Sequence, residues 1–200
     1  MRSVINSVLI KKLLVRFHLL IGFLLLVSGE SRASHSMGAD ITYQSIGNNR
    51  YVVTLTFYRD CAGIQAANNA TMVFRSSCYP AFYHRFPLLP GSGQEITPNC
   101  PSAPSTCSGG TFTGIQEYIY RDTVTLPPCA DWQMNYDLCC RNAAINTIPS
   151  PDATDIFVYA TLNNLNTPND HSPVFANRPV PFVCLGQQDR KSTRLNSSHT

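Results

Sequence analysis

The sequence predicts an all-β fold, an antiparallel immunoglobulin-like β-sandwich that contains disulfides. Residues 51–58 alternate between two faces with a period of two and are β-branched or aromatic, which is typical of a strand. Stretches rich in Gly, Pro and Asn separate several such segments, and no segment has a long amphipathic helical pattern. Eight cysteines, all between Cys61 and Cys184, follow an apolar leader, which indicates a disulfide framework in an exported protein.

The first element, residues 1–33, is predicted to be a signal peptide. A basic segment precedes the apolar run 17–27, and Ser31-Arg32-Ala33 places small residues at the cleavage positions. The apolar run has eleven residues, well short of the ~20 that a membrane-spanning helix needs. We therefore expect cleavage after Ala33, no membrane insertion of the mature chain, and a secreted or bacterial cell-surface location.

Residues 34–188 are predicted to form one disulfide-rich β-sandwich domain. The segments 39–44 and 51–58 flank Gly47-Asn48-Asn49 and predict a hairpin. Residues 97–113, rich in Pro and Gly, are predicted to form a loop. Further strands are expected at 70–75, 116–125, 132–137, 155–162 and 180–185.

The last segment, residues 189–200, is predicted not to be native. Residues 189–199 can be back-translated without a mismatch into a string that resembles a common sequencing-library adapter. We therefore expect the natural protein to continue beyond Gln188 and leave this tail out of the fold.

The charge of the predicted domain argues against a nucleic-acid partner. Residues 34–188 hold seven arginines, no lysine and ten acidic residues, a balance of −3, whereas the whole chain carries +3. The positive balance belongs to the two ends, so no basic surface is expected for nucleic acid or an anionic membrane.

All the cysteines are expected to form disulfides. Cys61–Cys78 and Cys100–Cys107 are predicted as local bridges, which leaves Cys129, Cys139, Cys140 and Cys184 to pair among themselves. Neighbouring cysteines rarely bridge each other, so Cys139 and Cys140 are each expected to have a distant partner. The alternative for this pair is a reactive or metal-binding site.

Trp132 is the single tryptophan, and two roles remain open for it. It lies between Cys129 and Cys139, so we expect it to pack against a disulfide in the core. The alternative is an exposed ring that stacks on a sugar.

No catalytic, metal or cofactor site is predicted. The histidines of the mature part, His35, His84 and His171, have no partner at metal-ligand spacing, and surface or structural roles are expected. An acid–base pair of Asp131 and Asp137, and calcium ligation by Asp152 and Asp155, are possible but lack the rest of the required pattern. Nucleophile, zinc-protease and phosphate-loop motifs are absent from the sequence. Residues 69–71 match a glycosylation sequon.

An ordered set of short strings resembles the N-terminal region of large surface proteins of gliding bacteria. The strings are 34–43 (SHSMGADITY), 57–61 (FYRDC), 120–127 (YRDTVTLP), 129–132 (CADW), 139–145 (CCRNAAI), 160–164 (ATLNN) and 181–187 (PFVCLGQ). The resemblance implies export by type IX secretion, repeated immunoglobulin-like or cadherin-like domains downstream, and a role in gliding motility. It supplies no catalytic residues.

These observations favour a non-enzymatic, structural or adhesive module at the start of a long surface protein. Its expected partners are the other domains of the same chain and surface glycans or proteins. The alternative is a targeting or carbohydrate-binding module of a secreted enzyme whose catalytic domain lies beyond this fragment.

Overall fold

The computed structural model describes residues 36–97, 104–143 and 145–174, together with Arg16. The chain divides into two compact units, Met1–Arg32 and Ala33–Thr200, and all the strands discussed below belong to the second. The predicted signal peptide apart from Arg16, the predicted strand 180–185 and the tail 189–200 lie outside the described residues.

Within the described residues, eight strands form two four-stranded antiparallel sheets. The first sheet has the order β1-β2-β6-β5 and the second has the order β4-β3-β7-β8. The strands are β1 Ser36–Ser45, β2 Arg50–Asp60, β3 Asn69–Arg75, β4 Phe82–Pro87, β5 Gln94–Glu95, β6 Ile115–Thr125, β7 Trp132–Leu138 and β8 Ile156–Leu162.

This arrangement is the strand order of an immunoglobulin-like sandwich. In that fold strands A, B, E and D form one sheet and strands C, F and G form the other. The first sheet here follows the A-B-E-D order, and the second follows C-F-G with β4 added beside β3. The predicted all-β, antiparallel sandwich is therefore confirmed.

The predicted hairpin joins β1 to β2. The two strands pair in register from Ala39↔Phe57 to Ser45↔Tyr51. Gly47, Asn48 and Asn49 have φ angles of 81°, 53° and 57°, and glycine and asparagine are the residues that adopt this left-handed region most readily. The local sequence thus specifies the turn.

Four of the five further predicted strands lie within the described residues and can be compared with the structure. The segments 70–75, 116–125, 132–137 and 155–162 correspond to β3, β6, β7 and β8 within one residue at each end. Two strands, β4 and β5, were not predicted. In the described part of the predicted loop 97–113, residues 97 and 104–113, a 3-10 turn forms at Thr106–Ser108.

The core lies between the inward faces of the two sheets. From the first sheet, Tyr51, Val53 and Leu55 of β2 are fully buried. From the second sheet, Phe74 of β3 and Met134 of β7 are equally buried. Alternate residues of each strand enter this core because successive side chains of a strand point to opposite faces.

Contacts close both long sides of the sandwich. On one side the Tyr43 hydroxyl of β1 donates a hydrogen bond of 2.9 Å to the Thr161 carbonyl oxygen of β8. On the other side His84 Nε2 of β4 lies 2.9 Å from Asp122 Oδ2 of β6.

Candidate functional site

Two long-range disulfides connect the ends of paired strands. Cys61, after β2, is bonded to Cys107, which precedes β6, and Cys78, after β3, is bonded to Cys129, which precedes β7. The predicted bridges Cys61–Cys78 and Cys100–Cys107 are therefore wrong. β2 pairs with β6 and β3 with β7, so each cysteine meets a partner distant in sequence. Cys100 and Cys184 lie outside the described residues.

The Cys61–Cys107 bridge also explains a glycine. The Cys61 N–H donates to the Gly114 carbonyl oxygen at 2.9 Å, which brings the chain before β6 against the bridge. A Cβ atom at residue 114 would collide with Cys107 Sγ. Glycine is therefore required here for close approach.

The adjacent cysteines Cys139 and Cys140 are bonded to each other, with Cα atoms 3.7 Å apart. The expectation that each has a distant partner is therefore wrong. The pair follows β7, and the Cys140 carbonyl oxygen accepts a hydrogen bond of 3.2 Å from the Ser36 N–H at the start of β1. The bridge thus occupies a position where the two sheets meet.

Trp132 lies in the core and has no exposed surface. Its Nε1–H donates a hydrogen bond of 2.8 Å to the Pro127 carbonyl oxygen. The ring of Tyr79 stacks on it at a centroid distance of 5.8 Å, and Phe82 meets it edge-on at 6.0 Å. Trp132 is the first residue of β7, so this bond runs from the start of the strand back to the backbone that precedes it. The ring is not available to stack on a sugar.

The titratable residues considered from the sequence occupy separate places. His171 Nδ1 accepts a hydrogen bond from the Ser45 N–H, and His84 pairs with Asp122. Burial alone would raise the pKa of Asp122, but hydrogen bonds from His84 and the Thr123 N–H outweigh it and lower the pKa. Asp131 accepts hydrogen bonds from the Ser77 N–H, with oxygens at 3.1 and 3.2 Å. His35 lies outside the described residues.

Further acidic residues lie apart from Asp131. Asp137 lies within β7, whereas Asp131 precedes that strand. Asp152 lies in a 3-10 turn, Pro151–Ala153, and Asp155 precedes β8. Asn69 of the sequon is the exposed first residue of β3.

A shallow groove of about 520 Å³ opens on the outer face of the second sheet. It is lined by Arg75, Ser76, Ala130, Asp131, Gln133 and Thr161, and we call it the outer groove. Arg75 pairs with Gln133 across β3 and β7, and Gln133 pairs with Thr161 across β7 and β8. Directly opposed residues of antiparallel strands point to the same face, so these three side chains form one row across the sheet.

The polar side chains of this row are not used within the protein. Arg75 and Thr161 are exposed and Gln133 is half-buried. In the part of the chain that the structure describes, none of these three side chains makes a hydrogen bond or ion pair. The row therefore offers a guanidinium, an amide and a hydroxyl to a ligand.

The next row along the same face is aromatic at both ends. Tyr83, Val73, Asn135 and Tyr159 are paired in succession across β4, β3, β7 and β8. Tyr83 is 72% exposed and Tyr159 is 58% exposed. Between them Asn135 is buried, and its Oδ1 atom has no hydrogen-bond partner among the residues described. Leaving a buried acceptor unpaired costs about 1–3 kcal/mol.

One cluster near the groove has the composition of a metal site. Cys78, Cys129 and Asp131 bring potential ligand atoms within 4.8 Å of one another. The two sulfur atoms are bonded to each other, however, and the thiolate is the form of cysteine that binds metals. For the same reason Cys129 Sγ, 2.9 Å from Asp131 Oδ1, has no proton to donate. The oxidised cluster therefore does not provide a thiolate site.

Comparison with known proteins adds no relative. No family model, no curated protein and no solved structure matches the chain. Among the described residues, no helix is long and apolar enough to cross a membrane. The outer groove could not be found in the sequence because its residues come from three strands and two loops and form no motif. The alternating pattern of each strand was the available signal, but it does not reveal which strands are neighbours.

Proposed function

We propose that this chain is a non-enzymatic extracellular module of a bacterial cell-surface protein, with a structural or adhesive role. The observation that carries the proposal is the pair of long-range disulfides, one in each sheet, within an immunoglobulin-like sandwich. Disulfides of this kind persist in oxidising environments outside the cytoplasm. A bridge at the end of a strand pair also opposes fraying of that pair, which suits a domain exposed to the exterior.

The finer part of the proposal rests on the resemblance to surface proteins of gliding bacteria. On this view the module stands at the N-terminal end of a long chain exported by type IX secretion. Its nearest partners are the further domains of that chain. On this view the module contributes adhesion or surface structure to gliding. The resemblance supplies no catalytic residues, and the fold alone assigns no chemistry.

A second role is favoured by the outer groove. A concave site with several polar side chains and an aromatic neighbour suits ligand binding. The module would then be the targeting or carbohydrate-binding part of a secreted enzyme. The full-length gene distinguishes the two roles: repeated β-domains support the surface protein, and a catalytic domain supports the enzyme.

Surface exposure can be tested in the bacterium that encodes the protein. An antibody raised against the folded, oxidised chain is applied to intact cells and to permeabilised cells, with an antibody against a cytoplasmic protein as the control. We expect equal staining of the two preparations by the first antibody. Staining that requires permeabilisation would contradict the proposal.

A further inference from the structure

The outer groove brings a guanidinium, an amide and a hydroxyl into one row on the part of the surface that the structure describes. We infer that it binds a glycan that carries a carboxylate. This inference rests on the proposed extracellular function, and it names the ligand class and the face used. The binding surface is formed by β3, β7 and β8 of the second sheet, by the loop after β3 and by the loop before β7.

The position of the groove favours a glycan over a peptide strand. A peptide that joins a sheet uses the unpaired backbone groups of an edge strand. The groove instead lies on the face of the sheet, where β7 is paired on both sides, with β3 and with β8. The face therefore presents side chains rather than free backbone groups. Scattered donors and acceptors at fixed spacing suit the hydroxyl groups of a sugar ring.

Arg75 is the reason to expect an acidic ligand. Its guanidinium is exposed at one end of the groove and has no ion pair with the described residues. A planar guanidinium binds a carboxylate through two parallel hydrogen bonds, and this pair is stronger than a neutral hydrogen bond. Asp131, the acidic residue of the lining, is already held by the Ser77 N–H.

Tyr159 supplies an apolar surface beside the polar row. It lies two residues before Thr161 on β8, so both side chains point to the outer face. Phe157 lies two residues further back, with its ring centroid 5.9 Å from that of Tyr159. Exposed aromatic rings of this kind combine a large apolar body with, in tyrosine, a polar tip. The C–H face of a pyranose can pack on such a ring while its hydroxyls reach the polar row.

The dimensions of the groove fit a short oligosaccharide. Arg75 and Thr161 lie on strands separated by β7, which places their strands about 10 Å apart. The groove volume of about 520 Å³ lies within the usual range for small-ligand sites. A carboxylate on Arg75, an amide contact with Gln133 and a hydroxyl contact with Thr161 therefore follow one line across the sheet.

The test uses the full chain exported into an oxidising compartment. Titration calorimetry compares oligogalacturonate, as the acidic probe, with the matched neutral galactose oligomer. Arg75→Gln and Tyr159→Ala alter the proposed site. Arg85→Gln and Tyr83→Ala are matched controls, because both residues are exposed on β4, which contributes no residue to the groove lining, whereas Tyr159 shares β8 with the lining residue Thr161. Circular dichroism and thiol titration confirm that every variant is folded and oxidised.

We expect the acidic oligomer to bind in preference to the neutral one, and more weakly as salt concentration rises. Arg75→Gln and Tyr159→Ala should each weaken binding by about tenfold or more, and the two controls should leave it unchanged. Four results overturn the inference, and the first three are equal binding of both oligomers, no binding by the folded chain, and equal loss in variant and control. Self-association through Tyr159, detected by sedimentation, also overturns it in favour of a second copy. Each of these results leaves the cell-staining test of the proposed function intact.

Discussion

The two outer faces of the sandwich differ in how their polar side chains are used. On the first sheet, the Tyr58 hydroxyl donates to Asp40 Oδ2 at 3.1 Å, and Arg121 Nε donates to Thr54 Oγ1 at 3.1 Å. On the second sheet, Arg75 has no such partner among the described residues, although it also projects from a strand. The first face stabilises itself, whereas the second keeps its polar groups available.

The pKa of Asp40 shows that the contacts of the first face are partly buried. Burial raises the pKa of this carboxyl, and hydrogen bonds from Tyr58 and Thr56 partly offset the rise. One sheet thus uses polar side chains for internal contacts, whereas the other leaves Arg75, Gln133 and Thr161 without such contacts among the described residues. Substitutions on and beneath each face test this division.

Substitution of Trp132, which lies beneath the outer face of the second sheet, should cause the largest loss of stability. Trp132→Ala removes a fully buried ring and the hydrogen bond to Pro127, and we expect it to lower the free energy of unfolding by ~3–5 kcal/mol. Urea denaturation measures the change. Tyr79→Ala, at a ring that is 39% exposed and stacked on Trp132, is the control and should cost less. A stable Trp132→Ala variant would mean that the second sheet does not depend on this core.

Removal of either long-range disulfide should lower the stability of the domain by a similar amount. The double variants Cys61→Ala/Cys107→Ala and Cys78→Ala/Cys129→Ala open loops with sequence separations of 46 and 51. Loop-closure entropy predicts a loss of about 4 kcal/mol for each. Cys139→Ala/Cys140→Ala opens no chain loop and should cost less than about 1 kcal/mol. Unequal losses for the two long-range bridges, measured by thermal and urea unfolding, would show that strain or packing dominates in one sheet.

Loss of the Tyr43 hydroxyl should remove its hydrogen bond to the Thr161 carbonyl oxygen. This bond joins β1 of the first sheet to β8 of the second. Burial, with the nearby Asp170 carboxylate, raises the pKa of Tyr43 to about 12 from its ordinary value of 10.0. A raised folded-state pKa means that this contribution is fully present below about pH 10 and is lost as the pH rises through about 12. Tyr43→Phe should cost about 1 kcal/mol at neutral pH and reduce the loss of stability between those pH values.

Stability measurements at alkaline pH need short incubation of the protein and a matched control variant. Stability is followed by urea denaturation between pH 8 and pH 12, with Tyr159→Phe as the exposed control that should behave like the unaltered chain. An identical alkaline decline in Tyr43→Phe and the unaltered chain would show that other groups, such as buried Tyr120 or Tyr136, govern it.

The smallest effect should separate two exposed arginines. Arg121→Gln loses the hydrogen bond to Thr54 on the first face and should lower stability by about 0.5 kcal/mol. Arg75→Gln should leave stability unchanged within about 0.2 kcal/mol, because its guanidinium makes no such bond with the described residues. Matched urea titrations decide the comparison. A larger loss for Arg75→Gln would show that this side chain serves folding rather than binding.

Part of the fold follows from the alternation of apolar and polar residues along the chain. β4 has this alternation although it was not predicted as a strand. In β4, Phe82, His84 and Phe86 contact other aromatic rings while Tyr83 is exposed, so the period of two is present. The strand was not predicted because charged and titratable residues interrupt its short run. His84 is accommodated because the edge of the second sheet brings it to Asp122 of the first.

The disulfide pairing and the groove could not be anticipated in the same way. Cys61 and Cys107 meet because β2 pairs with β6, and Arg75, Gln133 and Thr161 align because β3, β7 and β8 are neighbours. Closing a short loop costs less entropy than closing a long one. Loop entropy therefore favours the predicted local bridges Cys61–Cys78 and Cys100–Cys107. The packing of the sandwich overrides that preference.

Residue order alone was therefore enough for strand periodicity, the β1–β2 turn and the expectation of disulfides, since each depends on neighbouring residues or on composition. Tertiary structure decided which cysteines bond, that Trp132 is buried, and which polar side chains share a face. These depend on the choice of strand neighbours, and that choice minimises the free energy of the whole domain by burying both inner faces together. No single segment contains that information.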